Sequence, residues 1–308
     1  MNPARGIALK IISTLVFTLM AVCVKLVADR VPAGEIVFAR SLFALIPVMA
    51  MLLWQGQVFA ALKTRSPWLH ATRGAIGVSS MAFGFLALGF LPLPEAMMIG
   101  YAAPLMVVAL SAIVLHEVVR RYRWSAAALG FVGIAIILWP RLSLFHGAGL
   151  ENAAVLGAGI ALVGALFSAF ASITVRSMTQ TEGTGSIVIY FSLSGAILSL
   201  LTLPFGWAVP SVHDAALLVA AGLLGGMGQL LMTSAYRHAD AATVASFEYV
   251  SMLWGISFGY LFFAEVPSVS VIAGGAVVVA AGIFIIFRER QLGIQRKRER
   301  SANRATPV

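Results

Sequence analysis

The chain has 308 residues, of which 60% are hydrophobic and 11% are charged, and its mean hydropathy is +0.95. Soluble domains carry about 25% charged residues, so the composition excludes a soluble globular protein and predicts an all-α integral membrane protein. The net charge of +9 does not indicate nucleic-acid binding, because most basic residues lie between apolar runs or after the last one. The single cysteine, Cys23, excludes an intrachain disulfide.

Ten apolar runs follow one another along the chain, and a helix needs about 20 apolar residues to cross a bilayer. The first run is too long for the apolar core of a signal peptide, and no small-residue cleavage site follows it before Asp29. We therefore predict ten transmembrane helices, over residues 7–28, 35–54, 74–91, 94–115, 125–139, 153–175, 185–203, 214–234, 244–263 and 268–287.

The distribution of Lys and Arg predicts the orientation. With the N-terminus inside, 17 of the 21 basic residues fall in inner segments or in the tail, and only Arg30 and Arg141 fall in outer loops. Basic residues are concentrated on the cytoplasmic side of membrane proteins. We therefore predict a multi-pass protein of the bacterial inner membrane with both termini cytoplasmic and a basic cytoplasmic tail over residues 288–308.

The chain repeats itself at an offset of 148 residues. Tyr101 aligns with Tyr249 and Glu117 with Glu265, and glycines of the third run align with glycines of the eighth. Each copy holds five spans, an odd number, so the second copy enters the membrane from the opposite side. The sequence predicts two inverted five-helix repeats, 7–139 and 153–287, an arrangement typical of transporters that work by alternating access.

A series of short motifs in the first repeat identifies a family. In chain order they are Arg73-Gly74, Leu91-Pro92-Leu93-Pro94-Glu95-Ala96, Tyr101, Pro104-Leu105, Leu115-His116-Glu117 and Arg123-Trp124. Together with Arg40 near the start of the second span, this pattern resembles the EamA-type unit of the drug/metabolite transporter superfamily. The second repeat departs from it, because Met252 replaces Pro104 and no Arg-Trp pair follows Glu265.

The resemblance implies a transporter of small organic solutes whose spans 3, 4, 8 and 9 surround the cavity. It leaves the solute open, because the superfamily transports amino acids, vitamins, nucleotide-linked metabolites and toxic organic cations. The aromatic and Met-rich residues of these spans favour amino acid export with broad or aromatic-leaning specificity. Riboflavin, S-adenosylmethionine and organic cations are the alternatives, and a membrane-embedded enzyme or receptor is the competing class.

Glu248 is the one carboxylate well inside a predicted span, where a charge costs about 2.5 kcal/mol or more. It either binds a substrate ammonium, exchanges a proton, belongs to a structural ion pair, or is a hydrogen-bonded neutral acid. Helical spacing places Ser251, Met252 and Gly255 on the same face, with Gln229 as a neighbour on span 8. The predicted substrate-binding residues are Tyr101, Tyr249, Glu248, Gln229, Ser80, Phe83, Met97, Ser251, Met252 and Trp254.

The predicted coupling or gating residues are Glu248, Glu117, Glu265, Arg40 and Lys25. Lys25 and Arg40 lie near the outer ends of their spans, with the acidic side chains of residues 29 and 35 nearby in sequence. They therefore form local salt bridges, or Arg40 contacts a substrate carboxylate at the outer mouth.

The sequence contains no Walker A motif, no metal-ligand spacing of His and Cys, and no nucleophile elbow. We therefore predict no cofactor, no metal and no enzymatic activity. The expected partners are a small-molecule substrate and the lipid bilayer, and the sequence leaves both uniport and proton coupling open. Gly-x3-Gly motifs at 222–226 and 255–259 pair helices either within one chain or between chains, so a monomer and a weak homodimer both stay open.

Overall fold

The computed structural model of the protein describes residues 3–64, 66–114, 121–142, 153–178, 181–238 and 247–305. These residues form α-helices and short 3-10 segments, with no β-strand among them. The 3-10 segments are Leu200–Phe205 and Phe247–Tyr249. The α-helices are α1 Pro3–Val27, α2 Ala33–Trp54, α3 Val58–Leu62, α4 Pro67–Phe90, α5 Leu93–Gly100, α6 Ala102–Val114, α7 Arg121–Leu142, α8 Ala153–Met178, α9 Thr184–Ser199, α10 Val212–His238, α11 Val250–Phe263 and α12 Val269–Ala305.

Helix length and composition confirm the all-α membrane class. Within the described ranges, six helical stretches are long and apolar enough to cross a bilayer, and three apolar helices are shorter. The six are Ala4–Val27, Ala33–Trp54, Pro67–Phe90, Ala153–Val175, Gly185–Phe205 and Val212–Ala235, and the shorter three are Leu93–Val107, Trp124–Trp139 and Val269–Phe284. The predicted total of ten spans stays a prediction.

The start of α4 and the end of α12 differ from the boundaries that the sequence predicts. The third predicted span starts at residue 74, but α4 starts at Pro67, which places Arg73 inside the helix. Proline is favourable at the first position of a helix, because its missing N–H would be unpaired there in any case. At the other end of the chain, α12 continues beyond residue 287 to Ala305.

Two of the predicted spans change their helical geometry, each at a tyrosine. The span predicted over 94–115 divides into α5 and α6 with Tyr101 between them, because Pro104 has no N–H to donate to the carbonyl of Gly100. The span predicted over 244–263 forms a 3-10 turn that ends at Tyr249 before α11 begins. The two aligned tyrosines therefore both lie where the helical hydrogen bonding changes.

The helices pack in a defined set of pairs. α1 packs on α10, α4 on α8, and α7 on α12, while α2 contacts both α9 and α10 and α4 also contacts α9. Both Gly-x3-Gly motifs serve contacts within the chain. Gly226 faces Pro47 of α2, and Gly255 and Gly259 face Met97 and Pro94 of α5. Each of these glycines lets a neighbouring helix approach closely.

The tightest contact between α7 and α12 sets up a stability test. A Cβ atom at Gly133 would lie 2.7 Å from the carbonyl oxygen of Gly274, so Gly133→Ala forces the two backbones apart. Overpacking of this kind costs about 1–3 kcal/mol. We expect a fall of a few degrees in the apparent Tm of the purified protein. Gly159→Ala is the control, because no described atom lies within 4 Å of a Cβ there; equal Tm values for the two variants would contradict the packing.

Candidate functional site

The two aligned tyrosines meet in the interior of the protein. The ring centroids of Tyr101 and Tyr249 are 5.4 Å apart at an interplanar angle of 64°, an edge-to-face geometry that is favourable for aromatic pairs. The hydroxyl oxygens of Tyr101 and Ser251 are 2.6 Å apart, and the Ser251 hydroxyl donates to the carbonyl of Glu248 at 2.6 Å. Because a serine hydroxyl has only one proton, the Tyr101 hydroxyl is the donor to Ser251.

Glu248 forms an ion pair with Lys10 of α1. The side chain of Lys10 is 1% exposed, whereas that of Glu248 is 43% exposed. Of the roles predicted for Glu248, the ion pair is therefore present, and its carboxylate remains accessible from one side. We refer to Tyr101, Tyr249, Ser251, Glu248 and Lys10 as the tyrosine cluster.

Sequence reasoning missed Lys10. It was counted with the basic residues of the inner segments, although it lies within the first predicted span. An ionisable side chain inside a span is a functional candidate by default, and this signal was available in the sequence.

Three other predicted residues lie on α5 and α11, the helices next to Tyr101 and Tyr249 in the chain. The Met97 sulfur lies against Gly255 of α11, and the side chain of Met252 lies against Gly275 of α12. The indole Nε1 of Trp254 is buried and has no hydrogen-bond partner among the described residues. α5 and α11 thus carry thioether and aromatic groups together with a small number of polar atoms, a combination that suits binding of organic solutes.

Two further predicted residues lie between α4 and α8, and a third lies on α10. The Ser80 hydroxyl donates to the carbonyl of Gly164 at 3.0 Å, and Phe83 stacks on Phe167 with ring centroids 5.6 Å apart. Both side chains therefore join α4 to α8. Gln229 lies half-buried on α10, and Glu248 has Lys10 as its charged partner.

Lys25 and Glu265 connect three segments at one end of the bundle. Their charged groups are 3.1 Å apart, and the ammonium also donates to the carbonyl of Leu91 at 2.5 Å. The other carboxylate oxygen of Glu265 accepts from the backbone N–H of Leu93 at 2.8 Å. This Lys25–Glu265 bridge therefore holds the end of α1 and the residues after α11 against the α4–α5 corner.

The local salt bridges predicted for Lys25 are wrong. Glu35 instead accepts a hydrogen bond from the backbone N–H of Ala208 at 3.1 Å. Nearby, Arg30 pairs with Asp214 at 2.6 Å, and the hydrogen bonds and charge of that carboxylate raise the pKa of the Arg30 guanidinium. Each pair joins the first half of the chain to the second, and sequence proximity does not indicate such long-range partners.

Arg40 is not at a mouth of the protein. Its side chain is buried, 3% exposed, beside Phe191 of α9 and near Arg73 of α4. Neither arginine forms an ion pair with any described residue. Sequence reasoning placed Arg73 before its span and so did not consider it. Glu117 lies outside the described residues.

A second polar region lies near the start of α4. The Glu182 carboxylate accepts from the Thr64 hydroxyl at 2.9 Å and from the Ser66 N–H at 3.1 Å, and lies 3.6 Å from His70. A cleft of about 230 Å³ borders this region between α2, α9 and α10. Its lining contains none of the predicted site residues. Among the described residues no three His, Cys, Asp or Glu side chains converge as metal ligands would.

Comparison with known proteins agrees with this architecture. The EamA-like transporter family model matches residues 4–139 and 155–288. The pseudopaline exporter CntI of Pseudomonas aeruginosa strain UCBPP-PA14 is 30% identical over 90% of this chain and 94% of its own. The S-adenosylmethionine uptake transporter of Rickettsia prowazekii is 26% identical over 93% and 94%. The riboflavin transporter of Rhizobium johnstonii is 32% identical over 75% and 74%.

The fold also matches a solved crystal structure. That chain aligns with a TM-score of 0.67 at 20% identity, covering 95% of this chain and 99% of its own.

The apolar helices, the changes of helix geometry at the two tyrosines and the buried ion pairs define a multi-pass α-helical membrane protein with a polar site in its interior. The chain belongs to the EamA-like transporter family. Because this family and the named relatives are transporters, the protein is a membrane transporter of small molecules and not a membrane-embedded enzyme.

Proposed function

We propose that this protein is a secondary transporter that exports amino acids with broad or aromatic-leaning specificity by alternating access. The observation that carries the proposal is the contact of Tyr101 with Tyr249, each at a change of helix geometry and one in each half of the chain. Broken helices at the interface of two halves are the usual location of transporter binding sites. In our proposal the two rings together form one aromatic wall against the side chain of the solute, and the Glu248–Lys10 pair provides the polar contact or the proton step.

The packing of the helices supports an inverted repeat. At the offset of 148, α1 corresponds to α8, α2 to α9, α4 to α10 and α7 to α12. The pair α1–α10 then corresponds to α8–α4, and α2–α10 corresponds to α9–α4, while α2–α9 and α7–α12 correspond to themselves. A two-fold relation between the halves predicts these pairings, and two such halves can exchange conformations around a shared site.

Orientation and location complete the proposal. The bias of Lys and Arg favours cytoplasmic termini in a bacterial inner membrane. Export is favoured by the relative named as an exporter, which aligns over 90% of this chain. The intrachain contacts of the Gly-x3-Gly motifs favour a monomer over a weak homodimer.

S-Adenosylmethionine and riboflavin are the second candidate substrates. The relatives named for their transport are 26% and 32% identical to this chain. Both solutes carry aromatic rings, and they therefore require the same test as the amino acids.

The proposal is tested with the purified full chain in liposomes. We expect counterflow of labelled aromatic and aliphatic amino acids above the level of empty liposomes, with S-adenosylmethionine and riboflavin in the same panel. Uptake of no amino acid would contradict the proposed substrate class. The rate at equal and unequal pH across the membrane separates a facilitator from a proton-coupled antiporter.

The tyrosines are tested in the same liposomes. Loss of an aromatic contact together with a hydrogen bond is worth about 1–2 kcal/mol. We therefore expect Tyr101→Leu and Tyr249→Leu to raise the KM of the transported solute roughly tenfold. Tyr260→Leu is the matched control, because that tyrosine lies exposed on the same helix as Ser251. An unchanged KM in the first two variants would remove the tyrosines from the binding site.

A further inference from the structure

Two arginines from different helices converge on one aromatic ring. The guanidinium carbon of Arg73 lies 4.2 Å from the centroid of the Phe191 ring, and that of Arg40 lies 5.6 Å from it. The two guanidinium carbons are therefore at most 9.8 Å apart, the sum of those distances. Both residues lie six or seven positions inside their helices, roughly 10 Å from the helix ends, so the two cations lie within the apolar part of the protein.

Neither cation has a counter-charge among the described residues. The Nε and Nη1 atoms of both Arg40 and Arg73 are buried without a hydrogen-bond partner. Lys10, Lys25 and Arg30, in contrast, each pair with a carboxylate. A contact with an aromatic face stabilises a cation only partly, and a buried charge left uncompensated is strongly unfavourable. Two adjacent cations of this kind also repel each other.

Glycine residues lie directly against both guanidinium groups, so no neighbouring side chain at these positions supplies an acceptor. Gly77 lies against the guanidinium of Arg73, and Gly225 lies against that of Arg40, where a Cβ would be 2.8 Å from its Nε. These two glycines are 148 residues apart, the offset of the repeat. The hydroxyl of Ser41, next to Arg40, is also buried without a partner. Several hydrogen-bond donors thus lie together without an acceptor among the described residues.

We propose that Arg40 and Arg73 form a binding subsite for a carboxylate group of the transported solute. A carboxylate supplies the missing charge, and its two oxygens match the paired N–H groups of a guanidinium. The Ser41 hydroxyl provides a further donor. The subsite rests on the proposed transport function and restricts it to solutes that carry a carboxylate. The ring of Phe191 holds both guanidinium planes before the solute arrives.

Thermal unfolding of the purified full chain tests the subsite without knowledge of the solute. The probes are sodium acetate and sodium malonate, compared with sodium chloride at equal ionic strength. A ligand that binds only the folded protein raises the Tm in a concentration-dependent way. We expect both carboxylates to raise the Tm saturably and chloride not to do so. Arg40→Gln and Arg73→Gln should raise the carboxylate concentration that gives half of the maximal rise in Tm by about tenfold or more.

The variants also test whether the arginines are unpaired. Removing an uncompensated buried charge should leave the Tm in chloride equal to or above that of the unmodified protein. A loss of several degrees in both variants would show that the arginines have structural partners and would overturn the proposal. Arg288→Gln removes an exposed arginine in the second half of α12 and should keep the carboxylate response. An equal response to chloride would overturn the assignment to a carboxylate.

Transport assays separate this subsite from the proposed substrate class. If carboxylates stabilise the protein but no amino acid is transported, the subsite stands and the amino acid proposal fails. If amino acids are transported equally by the unmodified protein, Arg40→Gln and Arg73→Gln, the transport proposal stands and the subsite is refuted.

Discussion

Glu248→Gln is expected to lower both the folded yield and the transport rate, because it leaves the buried ammonium of Lys10 without its counter-charge. Removing one partner of a buried ion pair costs about 3–5 kcal/mol. Lys10→Met should cost less, because Glu248 is 43% exposed and its carboxylate can be hydrated once the ammonium is absent. The apparent Tm and the yield of monodisperse protein measure this asymmetry.

The double variant Lys10→Met/Glu248→Gln separates structure from transport. Replacing both members of a buried pair by neutral groups is often neutral or stabilising, so the double variant should regain the Tm of the unmodified protein to within about 1 kcal/mol. If the pair participates in substrate binding or proton exchange, transport by the refolded double variant stays at least roughly 100-fold reduced, and the rate no longer responds to a pH gradient. Full recovery of transport together with the Tm would make the pair purely structural.

This experiment is sharper than one on Glu248 alone. In the sequence Glu248 is the one acidic residue well inside an apolar run, and its partner is 238 positions away. A single substitution would confuse a folding defect with a transport defect. The double variant therefore requires that the partner of Glu248 is known. The packing of α1 beside the 3-10 turn at Glu248 identifies that partner as Lys10.

Local patterns predicted the helices well because bilayer thickness sets their length. The boundaries of α1, α2 and α8 agree with the apolar runs to within a few residues, since an apolar run of about 20 residues permits few alternatives. The offset of 148 residues pairs Tyr101 with Tyr249 from the sequence alone, and in the structure the two rings are in contact. Periodicity and self-similarity are properties of the sequence itself.

Long-range charge pairing was not predictable in the same way. Lys25 has acidic residues four and ten positions away but binds Glu265, because the crossing of helices determines which side chains meet. The apolar window of the third predicted span begins at residue 74, directly after the charged Arg73, so the sequence places this arginine outside the span. The helix in fact starts earlier, at Pro67, and the arginine is carried into the bundle. Wrong ion-pair partners and wrong helix boundaries are therefore most frequent at buried polar residues, and buried polar residues are also the functional candidates.

Glu265→Gln is expected to open the end of the bundle at which the Lys25–Glu265 bridge lies. The carboxylate binds both the Lys25 ammonium and the Leu93 N–H, and these side chains are mostly buried. Losing the charge weakens two charge-assisted hydrogen bonds, worth about 1.5–3 kcal/mol each at most. In a transporter that alternates between two conformations, this change shifts the population toward the state in which this end is open.

The single cysteine of the chain reports on that opening. Cys23 lies two residues before Lys25 on α1 and is half-buried against the cluster that includes Leu88 and Leu93. We expect Glu265→Gln to raise the rate of Cys23 modification by a water-soluble maleimide roughly tenfold or more, because a shift of 1.4 kcal/mol changes a population ratio tenfold. Asp29→Asn is the control at the same end, since Asp29 is exposed and forms no ion pair among the described residues.

Transport measurements show whether Glu265→Gln opens this end of the bundle or instead disrupts the folded protein. If the bridge closes one conformation of the cycle, Glu265→Gln should keep the substrate KM at the tyrosine cluster within a few-fold while lowering the rate, because the protein returns to the closed state less often. A restored rate in Lys25→Met/Glu265→Gln with Cys23 still reactive would mean that this end need not close for transport. An unchanged labelling rate in Glu265→Gln would show that the bridge does not determine access, and closure would then depend on the apolar contacts of α1 with α10 and α11.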